Sequence, residues 1–447
     1  MRRMSSEAED RRHVVVDLRE SGLGSPLTRV CGMAALERTL LVLGRQGYTH
    51  ALLVVRPGGA DRAEVERALP RAASALTLRF LEETDTSLRP LLEALDGEGA
   101  RDALFWPANL SFGRHAPGLA KRRAPEWRAL WGTREGERPG PTLLDLNVLR
   151  GHEALTWAEI ETQLSQSGQL EPVELDLEPL DLARPGARKR AVRALLASLR
   201  KDEDGVVARF DRHVSLSVSR FLMKLPVHPN AATIGAALLA VSGAIVAAHG
   251  GYWWMLAAAL LFQLNSILDG IDGEIARAKL LESRTGQWAD TLSDDFSNVV
   301  FIAGTAVGCQ RTWGSSHYLV LGAIAVAGFV ITAAIMYHYL ITVAHSGDLN
   351  AFRMPWERYS RIDKPREAAD AGRGDRPRPG VGLLERLEPF VRRDFFVLAT
   401  TAFALVGQLR VMMWFYALGA TGVWTSIVGY RLFGPRQARG PAGGAGQ

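Results

Sequence analysis

Apolar positions follow two different rhythms along the chain. Up to about residue 225 they come in short runs between charged stretches. "HVVVDL", "THALLVVR", "LTLRFLEE" and "DALFWPA" have the β-branched and alternating character of strands, while "MAALERTLLVLGRQG" repeats at helical spacing. Strands alternating with helices predict a Rossmann-like α/β domain. From 230 onward the rhythm changes to uninterrupted apolar windows, several of them long enough to cross a bilayer. Six membrane helices are predicted, at roughly 230–249, 252–270, 295–310, 317–341, 394–409 and 411–432.

The segments between these windows set an orientation. "AHGGYW" carries no lysine or arginine, and "CQRTWGSSHY" and "GQLRVMM" carry one arginine each, whereas "ARAKLLESR", "NAFRMPWERYSRIDKPREAADAGRGDRPRPG" and "YRLFGPRQARG" are strongly basic. The positive-inside rule then predicts a multi-pass protein with both termini cytoplasmic. Just before the first window, Val207, Phe210, Val214, Val218, Phe221, Leu222 and Leu225 recur at helical spacing, with Arg209, Arg212, Arg220 and Lys224 mainly on the other face. That pattern predicts an interfacial helix on an anionic leaflet. The resulting division is a cytoplasmic α/β domain over 1–190, a basic linker and interfacial helix over 191–228, a membrane domain over 229–433 and a disordered tail over 434–447.

Composition narrows the function classes. The 447 residues carry a net charge of only +5, with arginines spread over several segments, which argues against a nucleic-acid partner. Two cysteines, Cys31 and Cys309, lie in different halves and offer neither a disulfide framework nor a cysteine-rich metal site. The opening "MRRMSSEAEDRRHVVVD" lacks the apolar core of a secretory signal.

Candidate chemistry sits where the second apolar window ends, in "NSILDGIDGEIARAKLLESRTGQWADTLSDDFSN". Asp269 and Asp272 are three apart and Ala276 four further on, so a helix puts them on one face, with Gly273 beside them. Asp290 and Asp294 are one turn apart on the next helix. Two helix ends meeting there present four carboxylates to one point, where mutual repulsion calls for hard divalent cations such as Mg2+, the usual partner of phosphate chemistry. Gly273, Ala276 and Gly286 leave room for a ligand near the backbone, and Arg277 suits either a phosphate oxygen or an ion pair. Glu274, Glu282 and Asp295 lie outside this pattern and are expected to be bystanders, Asp295 as a solvated neighbour.

This stretch resembles the signature of the CDP-alcohol phosphotransferase family, D-x2-D-G-x2-A-R-x8-G-x3-D-x3-D. Its eight fixed positions are met by Asp269, Asp272, Gly273, Ala276, Arg277, Gly286, Asp290 and Asp294. A P-N-x2-T element that often opens the family's first membrane helix is matched by Pro229, Asn230 and Thr233. The resemblance covers about residues 195 to 433 and implies six membrane helices with a homodimer formed through them. It further implies two Mg2+ (or Mn2+) ions bound by Asp269, Asp272, Asp290 and Asp294, with Asp294 also acting as general base on an acceptor hydroxyl. Gly273, Ala276, Arg277 and Gly286, with Asn230 and Thr233 nearby, would contact the CDP group. The implied reaction transfers a phospho-alcohol from a CDP-alcohol to a hydroxyl acceptor and releases CMP.

The first half resembles a sugar-nucleotidyltransferase domain, in which a glycine-rich loop after the first strand cradles a nucleoside triphosphate. Gly22, Gly24 and Ser25 fit that loop, and the order of domains resembles bifunctional proteins that join an inositol-phosphate cytidylyltransferase to a phosphotransferase. The catalytic positions depart from the pattern: "SPLTRVCGMA" has Arg29 but no lysine, and Ala108 and Asn109 stand where a metal-binding aspartate is expected. A degenerate domain is therefore expected, which opens the donor to CDP-diacylglycerol as well as CDP-inositol, and the acceptor to inositol phosphate or glycerol phosphate. Arg353, Arg358, Arg361 and Lys364 suit a phosphorylated acceptor, or equally a charge near anionic lipid. The competing reading is a non-catalytic membrane scaffold or transporter that retains the fold.

Overall fold

The computed structural model describes residues 12–19, 24–112, 129–133, 140–175, 180–199, 215–225, 227–345 and 393–433, together with 114, 347 and 352. The disordered tail predicted over 434–447, the first part of the interfacial helix, Gly22 and the four basic residues Arg353, Arg358, Arg361 and Lys364 lie outside the described residues. The chain forms two compact units: one holds 1–201, 220–226 and 277–280, the other 202–219, 227–276 and 281–447.

The first unit is built on strands β1 (His13–Asp17), β2 (Arg29–Val30), β3 (Met33–Ala34), β4 (His50–Val55), β5 (Thr77–Glu82), β6 (Asp102–Phe105), β7 (Leu110–Ser111), β8 (Ala129–Thr133), β9 (Thr142–Asp145), β10 (Glu171–Glu174) and β11 (Leu180–Asp181). Its helices are α1 (Ala35–Arg45), α2 (Ala60–Ala68), α3 (Ala72–Ala75), α4 (Arg89–Gly97), α5 (Trp157–Gln166) and α6 (Ala187–Ser198). Seven strands form one sheet in the order β10-β8-β9-β6-β1-β4-β5. The quartet β5-β4-β1-β6 is parallel, with His13 level with His50 and Ala103. Its order reverses between β1 and β6, which makes the C-terminal ends of those two strands the switch point of a doubly wound fold. Strands β1 and β4 are buried on both faces, as parallel central strands must be. Val14, Val16, Leu53 and Val55 face one core with α1, and Val15, Leu52 and Val54 face another with α4 and α5.

A tight hairpin joins β2 to β3. Its two turn residues, Cys31 and Gly32, have φ of 52° and 84°, the left-handed pair that a two-residue turn with the native strand twist requires. A Cβ on Gly32 would meet the Met223 carbonyl oxygen at 2.3 Å, so only glycine fits against that segment.

The second unit is helical: α7 (Pro229–His249), α8 (Tyr252–Ala278, whose last two residues group with the first unit), α9 (Arg284–Trp313), α10 (His317–Tyr339), α11 (Arg393–Leu405) and α12 (Leu409–Phe433). Small residues let these helices approach. Gly304 and Gly308, four apart on α9, face Ala244 and Ala247 of α7 so closely that a Cβ would lie 2.3 and 2.0 Å from their carbonyl oxygens. Large apolar side chains point outward instead, including Ile234, Leu238, Ile245 and the adjacent Trp253 and Trp254. In the 215–222 helix Phe221 is exposed while Leu216 and Ser219 are buried.

Among the described residues four helices are long and apolar enough to cross a membrane, Pro229–His249, Tyr252–Ala278, His317–Ala344 and Leu409–Gly429, where six spans are predicted. The two exceptions have physical reasons. Helix α9 is 30 residues long, but Arg284, Asp290, Asp294 and Asp295 occupy its first half, and α11 has 13 described residues, about 20 Å at the α-helical rise.

Candidate active site

The end of α8 and the start of α9 carry the acidic residues. Asp269 and Asp272 are three positions apart on α8 and Asp290 and Asp294 four positions apart on α9, so each pair lies along one helix face. Asp269, Asp290 and Asp294 are half-buried, and one carboxylate oxygen from each lies within 4.8 Å of the others. Asp272 is not part of that trio. It is buried one turn along α8, where its Oδ2 accepts a hydrogen bond from the Thr233 hydroxyl of α7 and its Oδ1 one from the Gly273 N–H.

Three carboxylates this close repel one another, and their donor set is oxygen only. That chemistry fits a hard divalent cation of the Mg2+ or Mn2+ type and does not fit the soft thiolate and imidazole sites of zinc. Among the described residues no other group of three His, Cys, Asp or Glu side chains converges in this way.

The flanking elements are set by local signals. Ser283 caps α9, its hydroxyl accepting from the Gly286 N–H at 3.0 Å. His228 caps α7 through its ring and accepts from the Asn230 N–H, with Pro229 in the first turn. Thr233 therefore faces the α8 carboxylates, whereas Asn230 is exposed. Gly273 and Ala276 are half-buried on α8, and Arg277 lies in its last turn.

Two carboxylates expected to be bystanders have hydrogen-bond partners, and Asp295 is not the solvated neighbour expected. Glu274 is fully buried and accepts a hydrogen bond of 2.7 Å from Ser215, and Asp295 is half-buried and accepts one from the Tyr337 hydroxyl of α10. Neither lies in the eight-position pattern, and a carboxylate's partner one helix away leaves no trace in local spacing. Glu282 is exposed.

At the switch point of the α/β unit, Ala108 is buried, and the Asn109 side-chain amide donates to Asp181 at 2.5 Å. Arg19, just past β1, is equally engaged, pairing with Asp17 at 2.6 Å. No carboxylate stands at the end of β6, the position where the nucleotidyltransferase pattern expects a metal ligand.

Residues 226–354 match the family description CDP-alcohol phosphatidyltransferase. All eight signature residues fall inside the match. Among curated proteins, the chain is similar to three described as bifunctional IPC transferase and DIPP synthase. The Rubrobacter xylanophilus protein is 27% identical over 336 residues, covering 65% of this chain and 74% of that one. The Archaeoglobus fulgidus protein is 33% identical over 31% of this chain and 28% of its own length. The Thermococcus kodakarensis protein is 38% identical over 28% of each. The chain thus spans only about a quarter of the Archaeoglobus fulgidus and Thermococcus kodakarensis proteins. Solved structures similar to the α/β unit include a UDP-glucose pyrophosphorylase with UDP-glucose (TM-score 0.34, 8% identity, 42% of this chain and 99% of that one). Another is Rv0371c of Mycobacterium tuberculosis in complex with manganese (TM-score 0.33, 19% identity, 41% and 98%). The fold of this unit rests on its own strand order.

Thr233 ties α7 to the carboxylate helix through its hydrogen bond to Asp272. Thr233→Val keeps the shape and removes the hydroxyl, and a hydrogen bond to a charged group is worth about 1.5–3 kcal/mol. Activity is expected to fall by about tenfold to a hundredfold, measured as the initial rate of CMP formation with a CDP-alcohol donor.

Proposed function

We propose that the protein is an integral membrane CDP-alcohol phosphotransferase that moves a phospho-alcohol group from a CDP-alcohol to a hydroxyl acceptor. The observation that carries this reading is the convergence of Asp269, Asp290 and Asp294 from two helices inside a domain of this family. Divalent ions, two by analogy with the family, would be held by Asp269, Asp272, Asp290 and Asp294 and would neutralise the pyrophosphate of the donor. Asp294 takes the proton of the acceptor hydroxyl, whose oxygen attacks the phosphorus that bears the alcohol. The bond from that phosphorus to the bridging oxygen breaks, and CMP leaves with the bond's electrons. Gly273, Ala276 and Gly286 leave space for the CDP moiety, with Arg277, Asn230 and Thr233 as its polar contacts.

The donor is CDP-diacylglycerol or CDP-inositol, and the acceptor a polar alcohol such as inositol phosphate or glycerol phosphate. Relatives described as IPC transferase and DIPP synthase support the inositol-phosphate arm. The α/β unit is proposed to be catalytically degenerate, a reading supported by Ala108 and by the engagement of Asn109 with Asp181. The remaining features of the proposal are six membrane passes, a cytoplasmic site and termini, and a homodimer. A panel of acceptors incubated with each donor, with products identified by mass spectrometry, tests the substrate assignment. Product from one donor alone names it, and CTP-dependent formation of CDP-inositol would show that the α/β unit is active after all.

A further inference from the structure

The last residues of α8 group with the α/β unit, which contains 277–280. The helix ends in a Schellman motif: the Leu281 N–H donates to the Ala276 carbonyl at 2.8 Å and the Leu280 N–H to that of Arg277 at 3.4 Å. The left-handed position of this motif usually holds glycine, yet here it is Leu280, with φ of 53°. Its side chain is buried in the core that contains α1 and β4. A leucine persists in that conformation only where its surroundings over-determine it.

Arginines supply much of that determination. After the Schellman bonds the carbonyls of 278, 279 and 280 still need donors. Arg38 Nη1 donates to Ala278 at 2.5 Å, Arg71 Nη1 to Lys279 at 2.6 Å and Arg71 Nη2 to Leu280 at 2.8 Å, with Arg45 Nη2 also on Leu280 at 2.9 Å. Lys279 in turn donates to the Leu225 carbonyl at 2.8 Å. Every carbonyl from 276 to 280 thus has a donor, and cations stand where the helix dipole is negative. Buried Glu37 completes the arrangement by accepting from the Arg71 N–H at 3.0 Å.

A guanidinium kept for a soluble phosphate ligand must reach solvent. Arg38 does not: it is 1% exposed, with its second amino group on the Val30 carbonyl. Burial pulls its pKa down to about 10, so it remains charged at neutral pH.

We propose that Arg38, Arg45 and Arg71 are positioning residues for phosphotransfer, holding the end of the helix on which Asp269, Asp272, Gly273 and Ala276 stand. The α/β unit then contributes to catalysis as a clamp, without chemistry of its own. This inference rests on the phosphotransferase reading above. Asp272 lies six residues from Ala278, about 9 Å along the helix, close enough for a loosened end to shift it.

The test uses the full chain in lipid nanodiscs and centres on Arg71→Met, because Arg71 is only half-buried, with Arg71→Lys as the conservative variant and exposed Arg62→Met as control. Arg71→Met is expected to lower kcat for CMP release by about tenfold to a hundredfold, as a misplacement near 1 Å does. KM for the CDP-alcohol should stay within about threefold, since the loss falls on the reacting geometry. Amide exchange should accelerate at 276–281 and not in β1 or β4, Arg71→Lys should recover part of the rate, and Arg62→Met should lose none. An unchanged kcat, or exchange that accelerates equally in β1 and β4, would overturn the clamp. If the wild-type protein releases no CMP, the phosphotransferase reading fails and Mn2+ binding by electron paramagnetic resonance decides the clamp separately. Weakening by about tenfold in Arg71→Met would support it, the size seen for groups that orient metal ligands, and unchanged affinity would overturn it.

Discussion

Asp294→Asn is expected to abolish nearly all CMP release, by about 10³-fold, within the range for loss of a positioned general base together with a ligand charge. Asparagine keeps the size of the side chain and its place on α9, so the helix and its packing against α7 should survive. What it loses is the capacity to take a proton. The carboxylate trio would also lose one of its three carboxylates. An undiminished rate would remove Asp294 from the role of base.

The second large effect is expected at Asp290 and Asp269, which have no proton-transfer role in the proposed mechanism. Asp269 comes from α8 and Asp290 from one turn before Asp294 on α9, and all three belong to the same 4.8 Å group. Replacing either with asparagine trades a charged oxygen donor for a weak neutral one, and metal-derived stabilisation worth several kcal/mol corresponds to about 10² to 10³ in rate. Unlike Asp294→Asn, these variants should regain part of their activity as Mg2+ is raised. Titrating the rate of CMP formation against Mg2+ separates the two cases: activity regained at high Mg2+ marks a residue that is a ligand alone, and a loss that high Mg2+ does not restore marks the base.

Much of this was legible because the signals were local. The alternation in "HVVVDL" and "THALLVVR" maps onto β1 and β4, and the acidic spacing maps onto two helix faces that meet. Strands β8, β9 and β10 were not foreseen. They are short, and two of their pairings are antiparallel additions to a sheet whose parallel core carries the strong apolar pattern. Of the six expected spans, four meet the length and apolarity of a membrane crossing among the described residues; in α9, Asp290, Asp294 and Asp295 precede the apolar residues. Burial of Glu274 against Ser215 and the hydrogen bond from Tyr337 to Asp295 depend on partners far along the chain, which no local spacing encodes. The arginine cap at 278–280 is of the same kind, with its donors more than 200 residues away.

The central claim, that the carboxylates of α8 and α9 form a metal-dependent phosphotransfer site, is tested most directly by CMP formation from a CDP-alcohol and a hydroxyl acceptor by the purified full chain. The account predicts CMP in equal amount to the phospho-alcohol product, lost with EDTA and restored by Mg2+. CMP formation that persists undiminished in EDTA, or product formed equally well by the Asp269→Asn variant without metal, would contradict it.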